Sequence, residues 1–353
     1  MPQNVLTGLV ESGRGCIGCF ACDAVCAHGS VSMVLDDEGC YRATVRTEAC
    51  VSCGQCSAVC PQLVGTSSGK DSPGCVAMKS GLMDAVAMLF KWMLSRGGLI
   101  CGAAFDDDMN PVYVLTDEMS AIDMMADPRY VPGEVRGIYE SVKEKIEEGK
   151  DVLFLAPPCH VAALNNYLGG SDHLYTVDVV CKGRPAGKVY REYLFGLSEF
   201  GGLKKLSFNP KGSSEGAVAV EYADGRVKTE ACDGYLRACD ESLMADSACY
   251  GCRFAGLPRG GDLSLTDLHG ALKILNDVDD GDSMCAALVN TDKGGSMIEG
   301  IRSSLSYCRQ IPADFVEYDG GLGLTDSMHP SRGRFFGMVE KGRPVGESAG
   351  YCL

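Results

Sequence analysis

The sequence lacks a long apolar run and the features of a secretory leader. No stretch reaches the roughly 18 consecutive apolar residues of a membrane-spanning helix. The most apolar helix candidate, Met83–Leu94, is interrupted by Asp84 and Lys91. The first fifteen residues have neither a basic segment nor an unbroken apolar segment, as a signal peptide would. These absences predict a soluble, cytoplasmic protein with no membrane insertion.

Positive charge is also scarce. The 353-residue chain has 32 Lys and Arg residues against 47 Asp and Glu residues, for a net charge of -15. Such a surface is a poor partner for nucleic acid or anionic membranes, so we expect no nucleic-acid partner. Apolar residues make up 46% of the chain and charged residues 22%, a composition typical of globular proteins. The length predicts two domains.

Cysteine, in contrast, is abundant, with 20 residues. Because the cytosol keeps thiols reduced, we expect them to act as metal ligands or free thiols. Eight of them form two runs with one spacing, Cys-x-x-Cys-x-x-Cys-x-x-x-Cys. The first run is Cys16, Cys19, Cys22 and Cys26, and the second, displaced by 34 residues, is Cys50, Cys53, Cys56 and Cys60. The spacing is therefore an internal repeat.

The repeat predicts two 4Fe-4S clusters. Three thiolates at this spacing wrap around one cluster, whereas the fourth lies too far along the chain and binds the other cluster. The first set of ligands is therefore Cys16, Cys19, Cys22 and Cys60, and the second set is Cys50, Cys53, Cys56 and Cys26. Structural zinc sites and disulfides do not predict this exchange. The stretch resembles the bacterial two-cluster ferredoxin domain.

The chain then changes character. The segment Gly65–Gly74 is small, polar and turn-forming, which is typical of a linker. We expect a two-cluster ferredoxin domain over residues 1–66, a linker over 67–74 and a larger domain over 75–353.

A strand-loop-helix pattern occurs twice in the larger region. The strand Val152–Ala156 precedes a helix over Val161–Leu168, and the strand Leu174–Val180 precedes a helix over Gly187–Leu197. Such repetition favours parallel strands in an α/β sheet. The predicted fold is an α+β ferredoxin-like domain followed by a larger α/β domain with a mainly parallel or mixed sheet.

Other elements follow from periodicity and turn residues. We expect helices over Gly81–Arg96, Tyr139–Gly149 and Ser296–Ser304, strands over Leu99–Phe105, Pro111–Leu115, Leu263–Asp267 and Met284–Val289, a hairpin within Leu206–Val227, and an irregular glycine-rich tail.

Four further cysteines form a third set. Cys159 and Cys181 follow the two buried strands, while Cys249 and Cys252 form a Cys-x-x-Cys pair. Ligands collect beyond the carboxyl ends of parallel strands, and four thiols are enough for one metal site. Spacing alone leaves open a 4Fe-4S cluster, a zinc ion and plain buried cysteines.

Five segments of the larger region resemble a known family. They are Ala156–His160, Val177–Pro185, Cys249–Arg253, Gly261–Gly270 and Val289–Gly294. In this order they are similar to the beta subunit of coenzyme F420 hydrogenase/dehydrogenase, and the resemblance covers most of residues 75–340. Members of that family bind FAD and a 4Fe-4S cluster, and some carry a fused two-cluster ferredoxin domain.

The resemblance implies ligands and cofactor contacts. It implies that the third set binds a 4Fe-4S cluster. It also implies that Lys79, Ser80 and Gly81 form a flavin-contacting loop, with Asn290 and Thr291 near the same FAD.

Two residues beside the third set are candidate catalytic residues, and both depart from the family pattern. His160 stands where a glutamine is usual and could donate a proton or orient a flavin, or be a helix-capping or core histidine. Lys182 stands where a histidine is usual. Together with Arg184 it could bind FAD phosphates or an acidic substrate, or be a solvated charge.

The predicted function is that of an iron-sulfur flavoprotein oxidoreductase. It would pass electrons between a ferredoxin-like donor or partner subunit, three 4Fe-4S clusters and FAD, with hydride exchange to an organic acceptor such as coenzyme F420. Flavin is expected because clusters move single electrons whereas hydride transfer moves two. The alternatives are a non-catalytic electron-transfer subunit of a larger redox complex and a zinc-stabilised binding protein.

Overall fold

The computed structural model describes residues 4–12, 15–65, 73–198, 201–210, 216–270, 275–279, 282–319, 322 and 327–353, without the side chains of 10–12 and 317–319. Residues 67–72 of the predicted linker lie outside the described residues. Within the described part, no helix is both long enough and apolar enough to cross a membrane.

The N-terminal domain is small and built from short elements. They are α1 (Val5–Ser12), α2 (Ala21–Ala24), β1 (Val31–Leu35), β2 (Tyr41–Val45), α3 (Gln55–Val59) and α4 (Pro61–Val64). Strands β1 and β2 pair antiparallel, with Val31 opposite Val45 and Leu35 opposite Tyr41. The helices α2 and α3 each carry one cysteine of a run, because each begins just after the second cysteine of that run.

The second domain contains the remaining elements. Its strands are β3 (Gly74–Lys79), β4 (Leu99–Phe105), β5 (Pro111–Thr116), β6 (Val152–Ala156), β7 (Leu174–Val179), β8 (Leu203–Phe208), β9 (Val218–Tyr222), β10 (Val227–Glu230), β11 (Leu263–Asp267), β12 (Met284–Val289) and β13 (Cys308–Gln310). Its helices are α5 (Leu82–Ser95), α6 (Ile138–Glu147), α7 (Pro158–Leu168), α8 (Gly187–Ser198), α9 (Gly234–Asp240), α10 (Asp292–Ile301), α11 (Asp314–Asp319), α12 (Arg332–Glu340) and α13 (Val345–Gly350). Short 3-10 helices cover Met119–Met124, Ser247–Cys249 and Arg302–Ser304.

Eight strands form one mixed sheet in the order β13-β3-β12-β11-β7-β6-β4-β5. Strands β4, β6, β7 and β11 run parallel to one another, while β5, β12 and β13 run antiparallel to their neighbours. The α+β ferredoxin-like domain followed by a larger α/β domain with a mixed sheet is therefore confirmed.

Both faces of this sheet are covered. Along β6, Val152, Phe154 and Ala156 belong to one apolar core, whereas Leu153 and Leu155 belong to the other. A strand buried on both faces is apolar throughout, which is why this segment has no polar alternation. The first core also contains residues of the N-terminal domain such as Phe20, so that domain packs on the same face as α7.

Two expectations about the smaller elements need correction. The predicted hairpin is part of a three-stranded antiparallel sheet of order β10-β9-β8, in which the Asp224-Gly225 turn joins β9 to β10. The prediction of an irregular tail is wrong, because the tail forms α12 and α13. Its apolar residues Phe335, Val339 and Val345 are buried, and this packing outweighs the local glycine content.

Candidate metal centres

The two cysteine runs share one backbone conformation. Gly18 and Ser52 have positive φ values of 63° and 56°, and Phe20 and Gly54 have values of 63° and 78°. Each pair is separated by the same 34 residues as the cysteines. At Gly18 a Cβ atom would lie 2.6 Å from the carbonyl oxygen of Tyr41, so this turn requires glycine. The sequence repeat is thus a structural repeat of the loop that presents the thiols.

The structure brings together the thiols of the first set. Burial raises the pKa of Cys22, and the neighbouring thiols Cys16 and Cys60 raise it further. The pKa of Cys19 is raised by burial, then by Cys22 and Cys60. Cys60 belongs to the second run in sequence, yet it contributes to the raised pKa of thiols in the first run. The assignment of Cys60 as a ligand of the first cluster stays a prediction.

The second set surrounds a small cavity. Its walls include all four thiols, Cys26, Cys50, Cys53 and Cys56, together with His28, Ser30 and Val31. Cys53 is exposed, whereas Cys56 is buried. The second set therefore lies at the surface of the molecule.

Hydrogen-bond donors are directed at sulfur at several of these positions. The backbone N–H of Val5 donates to Cys56 Sγ at 3.2 Å, and that of Ala43 donates to Cys16 Sγ at 3.4 Å. At Cys26 burial alone would raise the pKa, but the Ser30 hydroxyl and nearby backbone N–H groups outweigh burial, so its pKa is lowered. N–H groups directed at sulfur suit the ligands of an iron-sulfur cluster, because they stabilise negative charge on the thiolates.

The third set assembles from distant segments. Cys159 lies in the first turn of α7, and Cys181 follows β7. Cys249 ends a short 3-10 helix, and Cys252 comes directly after the turn that follows it. Burial raises the pKa of Cys159, and Cys252 and Cys181 raise it further. The pKa of Cys249 is raised by burial, then by Asp246, Cys181 and Cys159. The fold thus gathers four thiols separated by up to 93 residues.

A buried ion pair supports one side of the third set. Arg259 pairs with Asp178, and both side chains are fully buried. Arg259 Nη1 also donates to the carbonyl of Phe254 at 3.0 Å, so Arg259 ties the loop after Cys252 to strand β7. At Cys252 burial raises the pKa, and the Arg259 charge opposes this.

A second ionic network joins the two domains beside the third set. Asp246 is fully buried, and its carboxylate accepts from Arg42 at 2.6 and 2.9 Å and from Arg184 at 3.0 Å. Arg42 lies on β2 and also donates to the carbonyl of Cys16 at 2.7 Å. Burial alone would raise the pKa of Asp246, but the two guanidinium groups outweigh it and lower the pKa to about 2. The carboxylate is therefore ionised and fixed between the two domains.

The three sets are neighbours in one order. Cys56 of the second set contributes to the raised pKa of Cys22, and Cys19 of the first set contributes to that of Cys159. Tyr139, fully buried, lies near both the first and third sets, since both Cys19 and Cys159 add to the effect of burial on its pKa. The three sets are therefore neighbours in the order second, first and third, with an exposed cysteine in the second.

His160 lies in the core beside the third set. It is 1% exposed, and neither ring nitrogen has a hydrogen-bond partner among the described residues. Its ring meets the edge of Tyr113 at 6.2 Å between centroids. Burial, followed by the Arg184 charge, lowers the pKa of His160 to about 3, so the imidazole is neutral at pH 7. Its proposed role as proton donor stays a prediction.

Lys182 and Arg184 differ in burial and in ion pairing. The Lys182 side chain is half-buried, and its ammonium has no hydrogen bond or ion pair within the part of the chain that the structure describes. Its carbonyl accepts from the Ser242 hydroxyl at 2.5 Å, which fixes the loop. Arg184, expected to be solvated or to bind phosphates, is instead buried and paired with Asp246. Of the two cations, Lys182 is the one that can meet a ligand.

The residues expected near a flavin lie at two opposite edges of the sheet. Lys79, at the end of β3, pairs in register with Met284 at the start of β12, whereas Gly74 pairs with Val289 at its end. Asn290 follows Val289, so it and Thr291 lie at the far end of these strands from Lys79. The structure therefore does not bring the two groups together.

The residues of both groups form hydrogen bonds or ion pairs within the protein. Lys79 Nζ is 2.6 Å from Asp282 Oδ1, and the Ser80 hydroxyl donates to the carbonyl of Gly81 at 3.0 Å. Asn290 Nδ2 donates to the carbonyl of Gly261 at 3.0 Å, and the Thr291 hydroxyl caps α10. The latter two are engaged in structural contacts.

The three donor sets consist of thiols alone. Among the described residues, no group of three or more His, Cys, Asp or Glu side chains is found in an arrangement that would bind a metal ion. Each set supplies four thiols, and backbone N–H groups are directed at sulfur in all three sets. Four-thiolate sets with such donors fit 4Fe-4S clusters.

Some residues around the third set were not predicted from the sequence. Asp178 could have been noticed, because it is the single charged residue in a strand without other charges and a buried charge needs a partner. Nothing local in the sequence indicates Arg259 or Asp246.

Comparisons with known proteins agree with this arrangement. Residues 15–64 match the model of the 4Fe-4S dicluster domain, and residues 149–309 match the model of the C terminus of the coenzyme F420 hydrogenase/dehydrogenase beta subunit. No curated protein matches the chain. The first and second sets lie within the first match, and the third set lies within the second. The chain therefore contains one region similar to 4Fe-4S dicluster domains and one region similar to the C terminus of the coenzyme F420 hydrogenase/dehydrogenase beta subunit, and its role is that of an iron-sulfur electron-transfer oxidoreductase.

Proposed function

We propose that the chain is an iron-sulfur flavoprotein oxidoreductase with three 4Fe-4S clusters and one FAD. It exchanges electrons with a ferredoxin or a partner redox subunit and a hydride with a small organic molecule such as coenzyme F420. We also propose that the domain boundary falls within residues 67–74, because α4 ends at Val64 and the large sheet begins at Gly74.

The observation that carries the proposal is the unbroken order of the three thiol sets. The second set includes the exposed Cys53, and the first set is its neighbour. Cys19 of the first set contributes to the raised pKa of Cys159 in the third set. Electron transfer between clusters needs short separations and no bond changes. The order therefore gives electrons a path from the protein surface to the carboxyl edge of the large sheet.

The composition of the third set supports a cluster there. Its thiols come from two strand ends and one Cys-x-x-Cys turn, and two buried arginines, Arg184 and Arg259, lie close enough to oppose the raised pKa of its cysteines. Buried thiolates carry a large negative charge, which such cations offset. The set also lies inside the region that matches the F420 hydrogenase/dehydrogenase beta family.

The carboxyl edge of the sheet supports a flavin position. The loop Lys79–Gly81 and Cys181 lie at this edge, separated by strands β12 and β11. Three strand spacings correspond to about 14 Å. When bound, flavin supplies the conversion between one-electron and two-electron transfer. The ammonium of Lys182 and the loop at Lys79 would bind anionic groups of the cofactor or substrate at this edge.

A non-catalytic electron-transfer subunit is the second candidate function. The observation that favours it is the engagement of Asn290 and Thr291 in structural contacts at the opposite edge of the sheet. On this alternative the clusters are present and the flavin is absent. In either case, reduced thiols in such number support a cytoplasmic location.

Anaerobic purification with iron, sulfide and flavin analysis tests the proposal. We expect about twelve irons and about one FAD per chain. About twelve irons without flavin, even after incubation with FAD, would favour the alternative, and about eight irons would remove the third cluster from the proposal. Cys159→Ser should lose about four irons, whereas Cys232→Ser, at an exposed thiol outside the three sets, should lose none. Flavin-containing protein is then assayed for coenzyme F420 oxidation and reduction.

A further inference from the structure

Arg184 occupies a position between the first and third sets. Its side chain is 8% exposed. Its backbone N–H donates to Cys249 Sγ at 3.4 Å, and its carbonyl accepts from the N–H of Asp246 at 2.8 Å. A Cβ atom placed on Gly18, next to Cys19, would lie 3.0 Å from Arg184 Nη2. The guanidinium group is therefore buried between the loop of the first set and the loop of the third.

The charge environment of Arg184 is asymmetric. Its guanidinium shares the Asp246 carboxylate with Arg42, and Arg42 has a further partner in Asp36, whose side chain is 30% exposed. Arg184 opposes the raised pKa of both Cys159 and Cys249, whereas Asp246 adds to the raised pKa of Cys249. Arg184 is also joined to the third set by the hydrogen bond from its backbone N–H to Cys249 Sγ. The thiols of the first set are shifted chiefly by burial and by one another.

We propose that Arg184 is a positioning and charge-tuning residue of the third set: its buried guanidinium raises the reduction potential of the cluster held there and so favours transfer of an electron from the first set to the third. The inference rests on the proposed function, because it requires a third cluster. In the transfer the first cluster is oxidised by one electron and the third is reduced by one electron. No bond or proton moves at Arg184, whose fixed positive charge stabilises the added negative charge.

The test is an anaerobic redox titration followed by electron paramagnetic resonance, with the parent protein and two variants at this position. In Arg184→Gln the charge is lost, and we expect the equilibrium share of the electron on the third cluster to fall about tenfold, which is about 59 mV for one electron. The potentials of the other two clusters should change less. Arg184→Lys keeps the charge but loses the planar fork, so its third cluster should stay close to the parent potential.

A variant of the opposite sign separates charge from structure. Asp246→Asn removes the neighbouring negative charge, so the potential of the third cluster should rise rather than fall. If the role of Arg184 were purely structural, Arg184→Lys would shift the reduction potential of the third cluster as far as Arg184→Gln does. Asp246→Asn would then not shift this potential in the opposite direction. Arg302→Gln removes a surface arginine that pairs with Glu299 and serves as the matched control with no expected shift.

Iron content keeps the two proposals distinguishable. About eight irons in the parent would overturn the third cluster and this inference with it. About twelve irons in the parent and in Arg184→Gln, with equal potentials, would overturn the role of Arg184 alone. If Arg184→Gln loses the third cluster, the comparison rests on Arg184→Lys and Asp246→Asn. The inference is supported if the potential of the third cluster is parent-like in Arg184→Lys and raised in Asp246→Asn. Any other pair of values overturns it.

Discussion

Asp246→Asn is expected to weaken the molecule through the ionic network that joins its two domains. In the folded protein the pKa of Asp246 falls from 3.8 to about 2, chiefly because two guanidinium groups outweigh the effect of burial. A difference of this size corresponds to about 2 kcal/mol of stability at neutral pH. The asparagine is a close mimic of the uncharged acid, so the variant should lose a similar amount.

The sign of the pH dependence follows from the depressed pKa. A folded-state pKa below the unfolded value contributes stability that is fully present above about pH 4 and is lost as the pH falls toward 2. The difference between parent and variant should therefore be constant from neutral pH to about pH 5 and shrink below pH 4. If Asp246→Asn lost as much stability as the parent when the pH falls from about 4 toward 2, a group other than Asp246 would be responsible for the acid-induced loss.

Anaerobic urea unfolding measures this directly. Trp92, the single tryptophan of the chain, reports the larger domain by fluorescence, and visible absorbance reports the clusters. For a loss of about 2 kcal/mol, the midpoint should fall by about 1 M urea. The matched control is Asp224→Asn, an exposed carboxylate paired with Arg226, which should leave the midpoint unchanged. Equal midpoints for parent and Asp246→Asn would refute the reasoning.

Three further changes test the centres themselves. Gly18→Ala forces a Cβ to within 2.6 Å of the Tyr41 carbonyl in a left-handed turn, so iron analysis should show the loss of about four irons from the first set. Arg259→Gln breaks the fully buried pair with Asp178 and should cost about 3–5 kcal/mol, with loss of the third cluster's paramagnetic signal and retention of the other two. Cys60→Ser should remove the cluster of the first run, whereas a signal that resembles loss of the second-run cluster would contradict the assigned ligand exchange.

The sequence was sufficient where the chemistry is local. The eight cysteines at two equal spacings predicted both ferredoxin-type sets, because a loop that wraps a cluster needs ligands at fixed short intervals. The strand-loop-helix pattern around Cys159 and Cys181 predicted parallel strands with both thiols at one edge of the sheet. The structure has these strands as β6 and β7 in parallel register.

The sequence was insufficient where contacts are long-range. Arg184 lies in a glycine- and proline-containing loop that suggests an exposed charge, and only the fold brings Asp246, 62 residues later, against it. The same holds for Arg259 and Asp178, which are 81 residues apart. The tail was predicted to be irregular because glycine is frequent there. Its helices exist because Phe335 and Val345 find a core to pack against.

The most direct test of the account is an iron count on two double variants purified without oxygen. Cys16→Ala with Cys60→Ala removes two ligands of the same set, so it should lose about four irons. Cys16→Ala with Cys26→Ala removes one ligand from each of two sets, so it should lose about eight irons. If each run instead held its own cluster, the two results would be reversed, and that reversal would contradict the exchange of ligands on which the order of the three sets depends.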